Sequence, residues 1–84
     1  MVFEYQRWEH SVSNGTHLHE HTFVKSGYNL LSFSWFNIGN QDWTRVSGSS
    51  VNTSAKKIEY WVNSSYNGTL EVVSFSGTAI FSKA

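Results

Sequence analysis

Apolar and polar residues alternate with a period of two along much of the chain. In 28–36, Leu31, Phe33 and Trp35 alternate with Ser32 and Ser34. In 56–62, Ile58, Tyr60 and Val62 alternate with Lys57, Glu59 and Trp61. In 69–76, Val73 and Phe75 oppose Leu70, Val72, Ser74 and Ser76. In an extended strand, successive side chains point to opposite faces. The pattern therefore predicts core faces built from Leu31, Phe33 and Trp35, from Ile58, Tyr60 and Val62, and from Val73 and Phe75. The last segment adds either Ile80 or the pair Ala79 and Phe81.

Strands are expected over 2–12, 16–24, 28–36, 42–47, 56–62, 69–76 and 78–83. No stretch carries apolar residues at i, i+3, i+4 and i+7 with good helix formers, so no helix longer than one turn is expected. Turn-forming pairs punctuate the strands: Asn14-Gly15, Ser26-Gly27, Gly39-Asn40, Ser47-Gly48, Asn67-Gly68 and Ser76-Gly77. Asn-Gly suits a two-residue hairpin because both central residues tolerate positive φ. The fold class that follows is all-β: a small antiparallel β-sandwich or barrel of about seven strands. Residues 1–84 form a single β domain, with no linker, repeat or low-complexity tract.

Composition changes this picture in two ways. There is no cysteine, and 17% of the residues are aromatic, including Trp8, Trp35, Trp43 and Trp61. A chain this short buries little surface and has no disulfide to help, so aromatic layers must carry its core. Charge is sparse and balanced, with six basic and six acidic residues. A phosphate backbone or an anionic membrane surface calls for a basic stripe, so nucleic acid is not an expected partner. No apolar run reaches the roughly 18 residues of a spanning helix, so no transmembrane segment is expected. Ser, Thr and Asn make up about a third of the chain. A surface of neutral hydroxyls and amides suits a secreted or extracellular protein, and the absence of a signal peptide suits its mature form. The same abundance accounts for four N-x-S/T sequons, at Asn14, Asn52, Asn63 and Asn67.

The segment "GTHLHEHTF" places His17, His19 and His21 on one strand face. Neutral imidazole binds Zn, Cu or Ni, and three such ligands plus water is a zinc pattern. Their spacing of about 7 Å along the strand prevents all three from reaching one tetrahedral ion without bending it. At best two would bind, joined by His10. If 2–12 and 16–24 pair through a two-residue turn, opposed positions sum to 29, and His10 lies opposite His19. The expected state is a solvated edge-strand face titrating near the ordinary histidine value, roughly 6.5. No cofactor is expected, and zinc is the one that these histidines leave open.

No catalytic residue is expected. A G-x-S-x-G elbow, a phosphate-cradling glycine loop and a dinucleotide fingerprint are all missing. Glu4, Glu9 and Glu20 could pair across the first hairpin, but a glycosidase needs a cleft to hold its sugar. The tryptophans are the candidate ligand-binding residues. Trp35 belongs in the core. Trp61 shares its face with Lys57 and Glu59, Trp43 follows the Gly39-Asn40 turn, and Trp8 shares a face with Gln6 and His10. An exposed indole beside amides and carboxylates can hold a sugar ring or anchor a partner.

"RWEH" at 7–10, in a cysteine-free, aromatic-rich and histidine-bearing β domain, loosely resembles the tryptophan-containing start of lactococcin 972-type bacteriocins. The likeness covers four residues and a composition, and the family's tyrosine-rich central pattern is missing. It implies an antimicrobial acting at a cell envelope, and no residue role is carried over. The expected function is a secreted, non-enzymatic binding or interaction protein for an extracellular or cell-envelope ligand, with a bacteriocin-like antimicrobial as one form. The alternatives are a carbohydrate-binding module using Trp61, Trp43 or Trp8, a small histidine metal-site protein, and a β-hairpin membrane inserter. The apolar runs Val72-Val73 and Ala79-Ile80-Phe81 break the alternation that a membrane strand requires.

Overall fold

The computed structural model describes residues 1–38, 43–67 and 71–84. It contains six strands, and there is no helix among the described residues: β1 (Val2–Val12), β2 (Gly15–Thr22), β3 (Tyr28–Ile38), β4 (Thr44–Asn52), β5 (Lys57–Ser64) and β6 (Glu71–Lys83). They form two three-stranded sheets, ordered β1-β6-β3 and β2-β5-β4, with every pairing antiparallel. The ladders are separate, so the sheets do not close into a barrel.

Six strands replace the expected seven because 69–76 and 78–83 are not separate. β6 runs unbroken through Ser76-Gly77. Gly77 serves packing rather than turning. A Cβ there would fall inside contact distance of the Phe33 ring and the Ser34 carbonyl. Glycine inside a strand often marks such a close approach. At roughly 3.4 Å per residue, thirteen residues span about 44 Å, and the longest extent of the molecule is 44 Å. β6 is thus the central beam of its sheet. Ser47-Gly48 likewise lies inside β4, where the register shifts between Val46 and Gly48. Gly39-Asn40 and Gly68 lie outside the described residues.

Asn14-Gly15 does turn the chain, with Gly15 at φ 106°. It joins strands of different sheets, so the expected hairpin ladder is not made. β1 pairs with β6, and β2 pairs with β5.

One core lies between the two inner faces. Leu30, Val73, Phe75, Ala79 and Phe81 come from one sheet, and Ile58, Tyr60 and Val62 from the other. The phases of β5 and β6 therefore match the sequence pattern, with Ala79 and Phe81 rather than Ile80 as the buried choice. In β3 the pattern misleads. Leu30 is fully buried, while Leu31 is 49% exposed. A register shift between Leu30 and Ser32 inserts an extra residue against β6, and such a bulge breaks strict alternation. A second shift lies between Trp35 and Asn37, and Phe36, alternating with inward Phe33 and Trp35, is exposed. There it meets Tyr5 edge-on at 6.4 Å on the outer face of the same sheet.

Trp8 is the hub of the core. It is 8% exposed and lies within 6.1 Å, centroid to centroid, of Tyr60, Phe75, Phe33, Phe23, Trp35 and His21. Its indole N–H donates to the Tyr60 hydroxyl at 2.9 Å. This bond joins the two sheets and satisfies two polar groups that burial would otherwise penalise. Burial pushes the Tyr60 phenol up, and the Trp8 bond opposes the shift.

Candidate functional site

The four tryptophans separate by environment. Trp8 is the core hub just described and presents no open ring face, so its place among the candidate ligand-binding residues is corrected. Its side of β1 points inward, and an apolar two-sheet interior takes the largest side chain available. Trp35 is half-buried, and its N–H donates to Ser49 Oγ at 3.1 Å. Trp43 is half-buried, donates its N–H to the Glu71 carboxylate, and lies 5.9 Å from the Tyr66 ring. Its edge is thereby committed to fixing the β4 entrance against β6.

Trp61 is different. It is 47% exposed on the middle strand of its sheet and faces away from the core. The phase of β5 dictates this, because Ile58, Tyr60 and Val62 all point inward. Across the ladders, Trp61 lies opposite Leu18 of β2 and Gly48 of β4. A Cβ at Gly48 would meet nothing within 4 Å, so one side of the indole is an open shelf. Leu18, itself 51% exposed, borders the other side.

Polar groups frame this platform. Toward one end lie Thr16, Asn63 and Arg45, in register across the three strands. Toward the other lie Glu20, Glu59 and Ser50, also in register. Two carboxylates directly opposed on neighbouring strands repel each other and cost stability. Lys57 offsets part of this repulsion by donating to Glu20 at 2.8 Å. That bond holds the ammonium pKa above its usual value, and Glu59 adds to the effect. The surface thus combines a bare aromatic ring with hydroxyl, amide, carboxylate and guanidinium groups. It is a flat surface, and no pocket is present among the described residues.

Glu4, Glu9 and Glu20, which could have paired across the first hairpin, do not come together. Glu4 pairs with Lys25 at 2.6 Å and Glu9 with Arg7 at 3.7 Å, whereas Glu20 faces Glu59. Sequence reading placed Glu59 on the face of Trp61 but missed Leu18, Arg45 and Gly48 as neighbours on the adjoining strands. Their proximity comes from ladder register between segments far apart in the chain.

The histidine row occupies the inner face of β2, not its outer face, and this corrects the expectation of a simple solvated row. Phe23, next in the same phase, is buried. His21 stacks on Trp8 at 4.4 Å with an interplanar angle of 5°. His19 lies 5.8 Å from the Tyr60 ring and 4.2 Å from the His10 ring. His17 is exposed, and its Nε2 lies 3.1 Å from the Asn14 carbonyl and 3.2 Å from Ser13 Oγ. β2 is an edge strand, so the row meets the core on one side and water on the other.

This position changes the titration of two rings. His19 is lowered by burial first, then by the charges of His10 and His17. His21 is lowered by burial, then by His10. The expectation of ordinary values is corrected for both, since an imidazolium loses hydration against the core. The Nδ1 atoms of His10 and His19 lie 3.1 Å apart, and His10 Nδ1 also lies 3.2 Å from the Ser11 carbonyl. A carbonyl only accepts, so the proton belongs on His10 Nδ1, and His19 Nδ1 offers a lone pair. No group of three or more His, Asp or Glu side chains among the described residues is placed to hold one metal ion.

Comparison of the chain with protein-family models, with curated proteins and with solved structures returns no match.

Proposed function

We propose that this protein is a secreted, non-enzymatic carbohydrate-binding domain whose ligand lies across the outer face of the β2-β5-β4 sheet. The observation that carries the reading is Trp61, standing exposed beside the open shelf at Gly48 with polar groups in register on both sides. A pyranose ring has an apolar C–H face and a rim of hydroxyls. The indole suits the first. Asn63, Arg45, Glu59 and Glu20 offer the second both donors and acceptors. A flat, cleftless face suits an extended chain of sugars better than a small molecule, which favours an enclosing pocket. A surface rich in Ser, Thr and Asn fits an extracellular or cell-envelope setting, where such polymers occur.

A glycan screen followed by tryptophan-fluorescence titration tests the proposal. Binding should perturb Trp61 emission. Trp61→Ala should weaken it more than tenfold, a loss of about 1.4 kcal/mol or more, while leaving the thermal midpoint within about 2 °C. Gly48→Val should weaken binding by filling the shelf, because only space is lost there. A glycan bound equally well by wild type and both variants would place the site elsewhere.

A further inference from the structure

We infer that His10 and His19 form a two-imidazole site for a divalent transition-metal ion that bridges the two sheets. This inference does not rest on the carbohydrate reading, because the site lies on the opposite side of β2 from the Trp61 face. Its basis is the 3.1 Å separation of the two Nδ1 atoms. With metal–nitrogen bonds of about 2.0–2.1 Å, two ligands of one ion lie about 2.8 Å apart at a right angle and about 3.4 Å apart at the tetrahedral angle. The observed distance falls between these limits. His19 Nδ1 already offers a lone pair, and the exposed His10 ring supplies the second once its proton has moved to Nε2.

The setting favours capture over a chance contact. His10 is on β1 and His19 on β2, the edge strands of different sheets, and these strands share no ladder. The rings meet across the open side of the molecule, where water can complete the coordination shell. His19 is already held by its contacts with Tyr60 and His10, so little side-chain entropy is lost on binding. His10 is exposed and free to adjust. On binding, its proton moves from Nδ1 to Nε2. The ring stays neutral, and its contact with the Ser11 carbonyl is exchanged for the metal bond. Two protein ligands leave the remaining positions to water. Affinity should follow the usual order for imidazole sites, with Cu(II) above Zn(II).

The test is titration with Zn(II) and Cu(II) at pH 7.5 in a non-coordinating buffer. It is read by calorimetry, by thermal midpoint, and by nitrogen NMR of the imidazoles with Zn(II). The expected result is a one-to-one complex that shifts the Nδ1 resonances of His10 and His19 and raises the midpoint, since an ion bound only by the folded state stabilises it. His10→Gln and His19→Gln should each lower the affinity at least tenfold, while His17→Gln leaves it within twofold. His10 is exposed, so its variant folds even where loss of His19 loosens the core. No binding up to millimolar zinc, full affinity in His10→Gln, or shifts centred on His17 or His21 would each overturn the inference.

Discussion

At the scale of single residues, the inward histidines tie stability to pH. Burial favours the neutral rings of His19 and His21 in the folded state, whereas the unfolded chain titrates near 6.5. Between these values the unfolded state binds more protons. Stability is thus full above about pH 6.5 and is lost as pH falls toward the lower folded-state values. Thermal midpoints should drop between pH 7.5 and 5.5, and the drop should shrink in a His19→Gln, His21→Gln double variant. A midpoint that rises on acidification would contradict this account. Trp8 offers a second test at this scale. Trp8→Phe keeps an aromatic ring but strands the buried Tyr60 hydroxyl, costing roughly 1–3 kcal/mol for the unsatisfied group beyond the lost volume. Pairing it with Tyr60→Phe should recover part of that loss in denaturant melts.

At the scale of elements, the two irregular features of the β3–β6 pair separate a sequence pattern from a packed strand. The bulge after Leu30 decides which leucine matters. Leu30→Ala should cost about 2–5 kcal/mol, as buried leucines do, and Leu31→Ala should stay near the surface range of about 0.5 kcal/mol. Equal costs in urea unfolding would mean that the register shift is absent. Gly77 sets the other constraint. Gly77→Ala forces the Phe33 ring and the Ser34 backbone apart, so it should destabilise by more than about 1 kcal/mol, whereas Gly48→Ala, on an open surface, should be tolerated. Both glycines read as turn markers in the sequence, and composition alone cannot distinguish a turn from a packing slot or a shelf.

At the scale of the whole molecule, the two-residue period in β5 and β6 made the all-β class and about half of the core legible, whereas Trp8, Val12, Phe23 and Leu30 were not marked by it. Ile58, Tyr60, Val62, Val73 and Phe75 are buried as their phase dictates. The same phase put Trp61 on the polar face, which is how the sequence itself marked the central residue of the candidate site. The sequence also implied that His10 and His19 oppose each other about the Asn14-Gly15 turn. Their rings do meet, although by contact between two sheets rather than within one ladder. Local periodicity and side-chain chemistry determined these points, because both act over two to five residues. Which strands pair, where a bulge breaks the period, and which face of β2 looks inward were decided only by tertiary structure. Those choices depend on fitting aromatic volumes from distant segments into one interior. Trp8 illustrates the difference: its neighbours in sequence are charged, and its neighbours in space are the core.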